Sequence, residues 1–291
     1  MLRRAGKLAR EVETGEFVEV EGVRLHFVAR GEGRPVVLLH GNTGFAHDFS
    51  AVLASLDPLE FRAFAFDRPG HGFSERPALD GVMPSQARLI RGALEALGVQ
   101  RPLVVGHSWS GALALSYALE FDEDVAALVL LAPAVYREEE MYAAQRLLVE
   151  ISLRSDVLIR ASEAFVRAEI RRNLALAFSP DEVPRDYLRA AESLWTRPSQ
   201  VRAFMQDEYY YNPEVELLAE RYPKVRVPTL IVTGDSDALV NPVRHAYPLH
   251  SAVEHSDLTV LPAAGHMLPH TRPEAVVSAL RNAASLAGPV Q

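Results

Sequence analysis

The hydrophobic positions along this chain fall into two alternating patterns. Short continuous apolar runs, typical of strands buried on both faces of a sheet, are separated by longer stretches of helical periodicity. The predicted buried strands cover residues 36–39, 63–66, 103–105, 127–131, 230–233 and 258–261. Helices are predicted between them at residues 85–97, 109–121 and 273–286. This alternation predicts an α/β fold with a mostly parallel central sheet flanked by helices on both faces.

Two further segments near the amino terminus alternate apolar and polar residues. Residues 17–20 and 23–28 show this alternation on either side of Glu21 and Gly22. A period of two about a short turn is typical of a β-hairpin with one solvated face. The sequence therefore predicts an antiparallel hairpin before the parallel strands begin.

One segment interrupts the alternation of strands and helices. Residues 136–222 contain only helical patterns, at 141–151, 158–177 and 187–195, and these are punctuated by Pro180, Pro184, Pro198 and Pro213. We interpret the segment as a helical cap, or lid, over the carboxyl ends of the strands. Residues 1–135 and 223–291 would then form one core, with the cap inserted between them. The alternative is a separate helical domain.

Composition limits the classes of protein to which the chain could belong. It has 291 residues, no cysteine and a net charge of -8, which excludes disulfides and disfavours a nucleic-acid partner. The basic first ten residues are not followed by an apolar run, so no secretory signal is expected. No stretch reaches the ~18 apolar residues of a membrane span. We therefore expect a soluble cytoplasmic protein that does not contact a membrane.

The segment 103–111, with the sequence LVVGHSWSG, is the strongest candidate for a catalytic element. A buried strand that reverses sharply into a helix needs small residues around the turn, and Ser108 stands at its centre. The pattern G-x-S-x-G would place glycine at position 110, where this chain has Ser110 followed by Gly111. The spacing of small residues still predicts a nucleophile elbow. The alternative is a buried serine in an ordinary turn.

A serine nucleophile needs a base and an acid that orients the base. His266 directly follows the last predicted strand and is the preferred base over His255 and His270. Asp235 and Asp237 both follow the strand at 230–233, and either could orient His266 or cap the next turn. The order serine, aspartate, histidine is that of α/β-hydrolases.

Four stretches of the chain, taken together, resemble the α/β-hydrolase superfamily from residue 17 to about residue 286. They are His40-Gly41-Asn42, the segment DRPGHGFS at 67–74, the elbow GHSWSG at 106–111, and Gly234-Asp235-Ser236-Asp237 together with Gly265-His266. The resemblance implies the α/β-hydrolase fold, with the cap inserted before the strand that carries the acid. It also implies that His40, Asp67 and His71 belong to the scaffold.

The resemblance assigns roles to five residues. It implies a triad of Ser108, Asp237 and His266, because the acid of the family usually lies three residues after a glycine such as Gly234. The backbone N–H groups of Asn42 and Trp109 would form the oxyanion hole. No metal or other cofactor is expected.

Asn42 and Trp109 are also similar to the halide-binding pair of haloalkane dehalogenases. Those enzymes and epoxide hydrolases use an aspartate nucleophile, whereas this chain has Ser108. A serine ester cannot be released by their carboxylate-ester route, so the residue disfavours both chemistries.

The sequence therefore predicts a serine hydrolase that cleaves a small or medium acyl substrate, most simply a carboxylic ester, through an acyl-enzyme. The alternatives are a hydrolase of a carbon–carbon bond in a diketone-like acid, a cofactor-free haloperoxidase-like enzyme, and a receptor that binds a ligand without turnover. An anion-binding arginine in the pocket would favour the diketone-like acid. Aromatic residues of the cap are candidate pocket residues: Trp195, Phe204, Tyr209, Tyr210 and Tyr211. The sequence leaves the oligomeric state open.

Overall fold

A single eight-stranded sheet organises the chain in the computed structural model, which describes residues 15–77, 82–138 and 163–288 together with residues 155 and 157. The strand order is β1-β2-β4-β3-β5-β6-β7-β8. Strands β3 to β8 run parallel, and β2 pairs antiparallel with β1 and β4. The strands are β1 (Glu16–Val20), β2 (Val23–Arg30), β3 (Arg34–Leu39), β4 (Phe61–Phe66), β5 (Leu103–His107), β6 (Ala127–Leu131), β7 (Thr229–Gly234) and β8 (Ser256–Leu261).

Helices cover both faces of this sheet. The helices outside the β6–β7 segment are α1 (Ser50–Ser55), α2 (Met83–Ala96), α3 (Ser110–Glu120), α7 (Ala246–Ala252), α8 (Leu268–Thr271) and α9 (Pro273–Leu286). Alternate residues of a strand point to opposite faces. Val37 accordingly lies in the apolar core that includes residues of α2 and α3, whereas Val36 lies in the core that includes residues of α1 and α9. This three-layer arrangement confirms the predicted α/β architecture.

The predicted strands and helices of the core are confirmed, with small shifts at their ends. The hairpin appears as β1 and β2, and the predictions at 127–131 and 273–286 coincide with β6 and α9. One expectation is wrong: residues 258–261 form part of β8, which is an edge strand with exposed residues and not a buried strand. Only one side of an edge strand pairs with the sheet, so its apolar residues are less completely covered.

Three helices are described between β6 and β7. They are α4 (Glu163–Phe178), α5 (Arg185–Leu194) and α6 (Pro198–Ala219). The predicted helix at 141–151 and the first part of the one at 158–177 lie outside the described residues. The division into a core and a cap at 136–222 stays a prediction. None of the helices that the structure describes is long and apolar enough to cross a membrane.

The interruption expected at Pro213 is wrong, because the 22-residue helix α6 includes this proline and ends only at Ala219. Contacts with the segment after β6 support the helix at this point. Asn212 donates to the carbonyl of Glu138 at 3.2 Å and accepts from its backbone N–H at 3.0 Å, and the Tyr211 hydroxyl donates to the carbonyl of Tyr136 at 3.2 Å. These contacts offset the helical hydrogen bond that a proline cannot donate.

A buried ion pair joins α6 to the core. The Asp207 carboxylate lies 2.9 Å from the guanidinium of Arg68 and 2.7 Å from that of Arg76. It also accepts hydrogen bonds from His71 at 3.0 Å and Gln86 at 3.1 Å. Burial alone would raise the pKa of Asp207, but the two arginines hold it far below its ordinary range. The carboxylate is therefore charged and fully paired.

We expect Asp207→Asn to destabilise the protein by about 3–5 kcal/mol, because it leaves two buried guanidinium groups without their carboxylate. Denaturant unfolding would measure the loss. Asp186→Asn is the matched control, since Asp186 is exposed and pairs with the exposed Arg189 of the same helix. Its replacement should cost only about 0–1 kcal/mol. Equal stability of the two variants would contradict the importance of the buried pair.

Candidate active site

Ser108 occupies the sharp turn between β5 and α3. Its φ is +55°, a left-handed conformation that non-glycine residues rarely adopt. Its backbone N–H donates to the carbonyl of Leu131 at 2.9 Å, which anchors the turn to β6. A Cβ atom at Gly106 would lie 2.2 Å from the carbonyl oxygen of Ser110, so the strand and the helix approach each other this closely only because position 106 is glycine. These are the features of a nucleophile elbow.

Ser110, where the elbow pattern has glycine, makes a specific contact. Its hydroxyl is buried and donates to the carbonyl of His40 at 2.5 Å. His40 begins the loop after β3, which continues through Gly41 and Asn42 and is called the oxyanion loop below. The departure from the pattern therefore adds a hydrogen bond between the elbow and this loop.

His266 pairs with Asp237. Nδ1 of His266 lies 2.7 Å from Oδ2 of Asp237, and Oδ1 of Asp237 accepts the backbone N–H groups of Leu239 and Val240, each at 2.8 Å. Burial would raise the pKa of Asp237, but His266 and these hydrogen bonds lower it below its ordinary value. An ionised Asp237 accepts a hydrogen bond from Nδ1–H of His266, which orients the imidazole and leaves Nε2 available to accept a proton.

The rival residues from the sequence lie elsewhere. Asp235 is exposed, and its Oδ1 accepts the backbone N–H of Ala263 at 2.8 Å and the Ser236 hydroxyl at 2.8 Å. His255 is exposed, and the ring of His270 packs against Phe178. None of the three lines the cavity that contains Ser108 and His266.

Ser108 and His266 open into one cavity of about 610 Å³. A Cβ atom at Gly41 would lie 3.0 Å from Cβ of Ser108, which shows how closely the oxyanion loop approaches the elbow. Within the described residues Ser108 Oγ makes no hydrogen bond, to His266 or to any other group. Catalytic hydrogen bonds are often long without substrate and shorten when it binds.

Two backbone donors beside Ser108 lack acceptors. Neither the N–H of Asn42 nor that of Trp109 has an acceptor among the described residues. The carbonyls next to Asn42 are fixed, because the buried guanidinium of Arg68 donates to His40 O at 3.1 Å and to Gly41 O at 3.2 Å. The same guanidinium stacks on the Trp109 ring, 4.2 Å from its centroid. The groups around both donors are therefore held in place, and neither N–H has an acceptor within the described residues.

His107 supports the backbone of His266. Its Nε2 donates to the His266 carbonyl at 3.0 Å. Burial, together with the neighbouring His266, lowers the pKa of His107 to about 3. A neutral His107 with the proton on Nε2 is the form that makes this contact.

The side chain of Asn42 is hydrogen-bonded to Glu208, a residue that sequence reasoning missed. Its Nδ2 donates to Oε1 of Glu208, on α6, at 2.5 Å, and its Oδ1 accepts the N–H of Thr43 at 3.0 Å. In this position a carboxyl group takes the hydrogen bond that a halide would need. The side-chain amide of Asn42 is therefore not free to bind a halide, and the similarity to a halide-binding pair ends at this point.

Glu208 and Asp48 are acidic residues of the cavity wall with raised pKa values. Burial raises the pKa of Glu208 to about 7, although its side chain is open to the water-accessible cavity. Burial likewise raises the pKa of Asp48 to about 7, and Asp48 accepts the Tyr187 hydroxyl at 2.8 Å. Nothing in the local sequence marks either residue, because their neighbours in the cavity are distant along the chain.

The other charged residues of the described cavity wall are compensated. Arg137 lies 2.9 Å from Glu216, and the guanidinium of Arg244 lies 3.9 Å from Glu138. Four of the five aromatic residues predicted for the pocket line the cavity: Trp195, Phe204, Tyr209 and Tyr211. The fifth, Tyr210, does not line it and packs against the ring of Tyr209. Among the described residues no group of three potential metal ligands is found.

Comparison with known proteins decides the family. A sequence profile described as the α/β hydrolase fold matches residues 34–273. The chain belongs to the α/β-hydrolase family. A relative from Metapseudomonas resinovorans, 2-hydroxy-6-oxo-6-(2'-aminophenyl)hexa-2,4-dienoic acid hydrolase, is 25% identical over 94% of this chain and 93% of its own length.

Two solved structures show how widely this α/β-hydrolase fold is shared. An epoxide hydrolase, CorEH, superposes with a TM-score of 0.77 at 22% identity, covering 92% of this chain and 97% of its own. An esterase from Exiguobacterium antarcticum superposes with a TM-score of 0.74 at 20% identity, covering 92% and 98%. At these identities the likeness establishes the fold alone, so the chemistry must be argued from the site.

We expect His71 and His107 of this α/β hydrolase to remain neutral throughout pH 7 to 5. Burial lowers the pKa of His71 to about 4 and that of His107 to about 3. Protonation would therefore occur only below this interval. Long-range ¹H–¹⁵N spectra of histidine-labelled protein would measure it, with His71→Gln and His107→Gln spectra used for assignment. A shift toward imidazolium for either residue near pH 6.5 would contradict the expectation.

Proposed function

We propose that this α/β hydrolase is a serine hydrolase that cleaves carboxylic esters with a small or medium acyl group. The observation that carries the proposal is the His266–Asp237 pair, 2.7 Å apart, beside a cavity that also contains Ser108 at a strained turn. A buried histidine paired with a carboxylate next to an accessible serine is the arrangement that activates a hydroxyl nucleophile.

The reaction would proceed in two steps. Ser108 Oγ attacks the ester carbonyl carbon while His266 Nε2 accepts the hydroxyl proton, and Asp237 stabilises the resulting imidazolium. Collapse of the tetrahedral intermediate breaks the bond to the alcohol oxygen, which takes the proton from His266. Water then attacks the acyl-enzyme by the same route and releases the acid and Ser108. No metal or cofactor takes part in this sequence.

Stabilisation of the tetrahedral intermediate would come from the N–H groups of Asn42 and Trp109. Each such donor contributes about 3–4 kcal/mol to the transition state in enzymes of this type. The residues predicted as a cap, 136–222, would enclose the acyl group, with Trp195 and Phe204 forming part of its apolar wall.

A carbon–carbon bond hydrolase is the second candidate, because the relative from Metapseudomonas resinovorans is named for the hydrolysis of a dienoic acid. Such a substrate carries a carboxylate and needs a cation in the pocket. The one arginine of the described cavity wall, Arg137, already pairs with Glu216 at 2.9 Å. This pairing favours an ester over an anionic acid.

A cofactor-free haloperoxidase or a receptor without turnover would use the same cavity. A receptor would bind its ligand and barely hydrolyse it, so a measurement of turnover distinguishes it from an enzyme.

Hydrolysis of p-nitrophenyl esters from acetate to octanoate should be detectable for the wild type and fall by about 10⁴-fold or more in Ser108→Ala, because the nucleophile is lost. A fluorophosphonate probe should add one phosphonyl group to the wild type and none to the variant, as seen by intact mass spectrometry. Equal esterase activity in both proteins would remove Ser108 from the mechanism. Folded wild type that cleaves no ester but cleaves a diketone-like acid would favour the second candidate.

The two aspartates after β7 provide a matched pair. We expect Asp237→Asn to lower kcat by about 10³–10⁴-fold, because an amide cannot stabilise the imidazolium. Asp235→Asn should leave kcat within about threefold, since an amide oxygen can still accept the backbone N–H that Asp235 binds. Steady-state kinetics with one good ester measures both, and circular dichroism checks that both fold. The reverse order of effects would exchange the roles of the two residues.

A further inference from the structure

We infer that the catalytic cavity recognises esters that carry a positively charged group, and that Glu208 is the residue that receives this group. The inference rests on the proposed ester hydrolase function and extends it to the charge of the substrate. It follows from the position of Glu208, from the pairing of the other charges and from the aromatic residues beside it.

Glu208 reaches the catalytic cavity from α6. It lines the cavity together with Ser108 and His266, and its carboxyl accepts a hydrogen bond from Asn42, the residue whose backbone N–H faces the proposed oxyanion site. Asn42 is neutral, and no cationic group among the described residues contacts Glu208. Among the described residues, a carboxylate at this position therefore has no cation of the protein to pair with.

The neighbouring acidic residues already lie beside guanidinium groups. Asp207, the preceding residue of α6, is held by Arg68 and Arg76, and Glu138 lies 3.9 Å from the guanidinium of Arg244. Glu216 pairs with Arg137. Within the part of the chain that the structure describes, Glu208 therefore differs from these carboxylates of the site in lacking a positively charged partner.

Aromatic residues share the face of α6 that carries Glu208. Phe204 and Tyr211 lie four residues before and three residues after Glu208, which places all three on one side of the helix, and all three line the cavity. The aromatic face attracts cations, most strongly when water is excluded. Trp195, nine-tenths buried in the same wall, has an indole N–H without an acceptor among the described residues. A carboxylate flanked by aromatic rings is suited to an ammonium group.

A purely structural role does not account for an acid at this position. Holding Asn42 requires only an oxygen acceptor, which glutamine would supply without cost. The cavity wall around Glu208 raises its pKa to about 7, so the carboxyl is only partly ionised near neutral pH before a substrate binds. A bound cation would restore the charged form.

The test compares isosteric esters that differ only in charge. One pair is p-nitrophenyl 4-(trimethylammonio)butanoate and p-nitrophenyl 5,5-dimethylhexanoate, and the other is butyrylcholine and 3,3-dimethylbutyl butyrate. We expect the wild type to prefer the cationic member of at least one pair by about tenfold in kcat/KM. Glu208→Gln keeps an oxygen acceptor for Asn42 and should reduce this preference to about one. The readout is the ratio of kcat/KM for the two esters within each protein, so it does not depend on how the substitution changes the rate for the neutral ester.

Glu220→Gln is the matched control, because it removes the same charge from an exposed residue at the end of α6. It should retain the preference. Equal rates for the members of both pairs in the wild type, or a preference that survives in Glu208→Gln, would overturn the cation site and leave the hydrolase function standing.

The pH dependence of the same ratio gives a second readout. A cation binds the ionised carboxylate, so the cation-to-neutral ratio of kcat/KM should rise from pH 6 to pH 8 in the wild type and stay flat in Glu208→Gln. His266 acts on both esters and cancels in the ratio. The ionisable groups that influence Glu208 are Asp207 and Tyr211 on α6 and Glu138 after β6, and Asp207 stays ionised in this interval.

Binding without turnover separates the two proposals. Calorimetric titration with butyltrimethylammonium should show binding to the wild type that weakens by about tenfold in Glu208→Gln. If no ester is hydrolysed but this difference is found, the hydrolase proposal fails and the cation site stands. Absent or equal binding to both proteins would overturn the cation site whatever the esterase activity.

Discussion

The buried guanidinium of Arg68 is the group on which the geometry of the site depends. It donates to the carbonyls of His40 and Gly41 in the oxyanion loop, and it stacks on the ring of Trp109, the residue after the nucleophile candidate. Burial lowers its pKa only to about 10, because Asp207 supplies the compensating charge. A buried cation without such a partner would be very costly. The loop, the elbow and helix α6 are therefore tied to one ion pair.

This ion pair also determines which residues of α6 face the cavity. Consecutive helical residues are rotated by about 100°. With Asp207 directed toward Arg68, Glu208 is directed toward Asn42, and its neighbours one turn away, Phe204 and Tyr211, lie on the same side. The arrangement that holds the oxyanion loop in place thus also places a carboxyl and aromatic rings opposite the nucleophile candidate. Structural support and the substrate recognition that we propose are therefore coupled through two adjacent residues.

Much of the core could be predicted from the sequence because its strands are buried on both faces. A strand such as β6 must be apolar throughout, so its pattern gives its ends directly. The failures occur where tertiary contacts override local preference. Pro213 lies inside α6 because side chains on either side of it contact the segment after β6, and β8 resembles a buried strand although it forms an edge of the sheet. Neither circumstance is visible in a local pattern.

The candidate site also has a part that the sequence predicts and a part that only the fold reveals. Ser108, Asp237 and His266 each follow a strand of a parallel sheet, and the carboxyl ends of such strands meet at one edge, so their proximity could be predicted from strand positions. The role of Glu208 could not, since Asn42 lies 166 residues away along the chain. In the sequence, Asp207 and Glu208 are two similar acids on a polar helix. Only the fold brings Asp207 into contact with two arginines and Glu208 into contact with a neutral amide. The candidate nucleophile is therefore marked by the local sequence, whereas the charge that we propose for the cavity depends on which carboxylates the fold pairs with arginine.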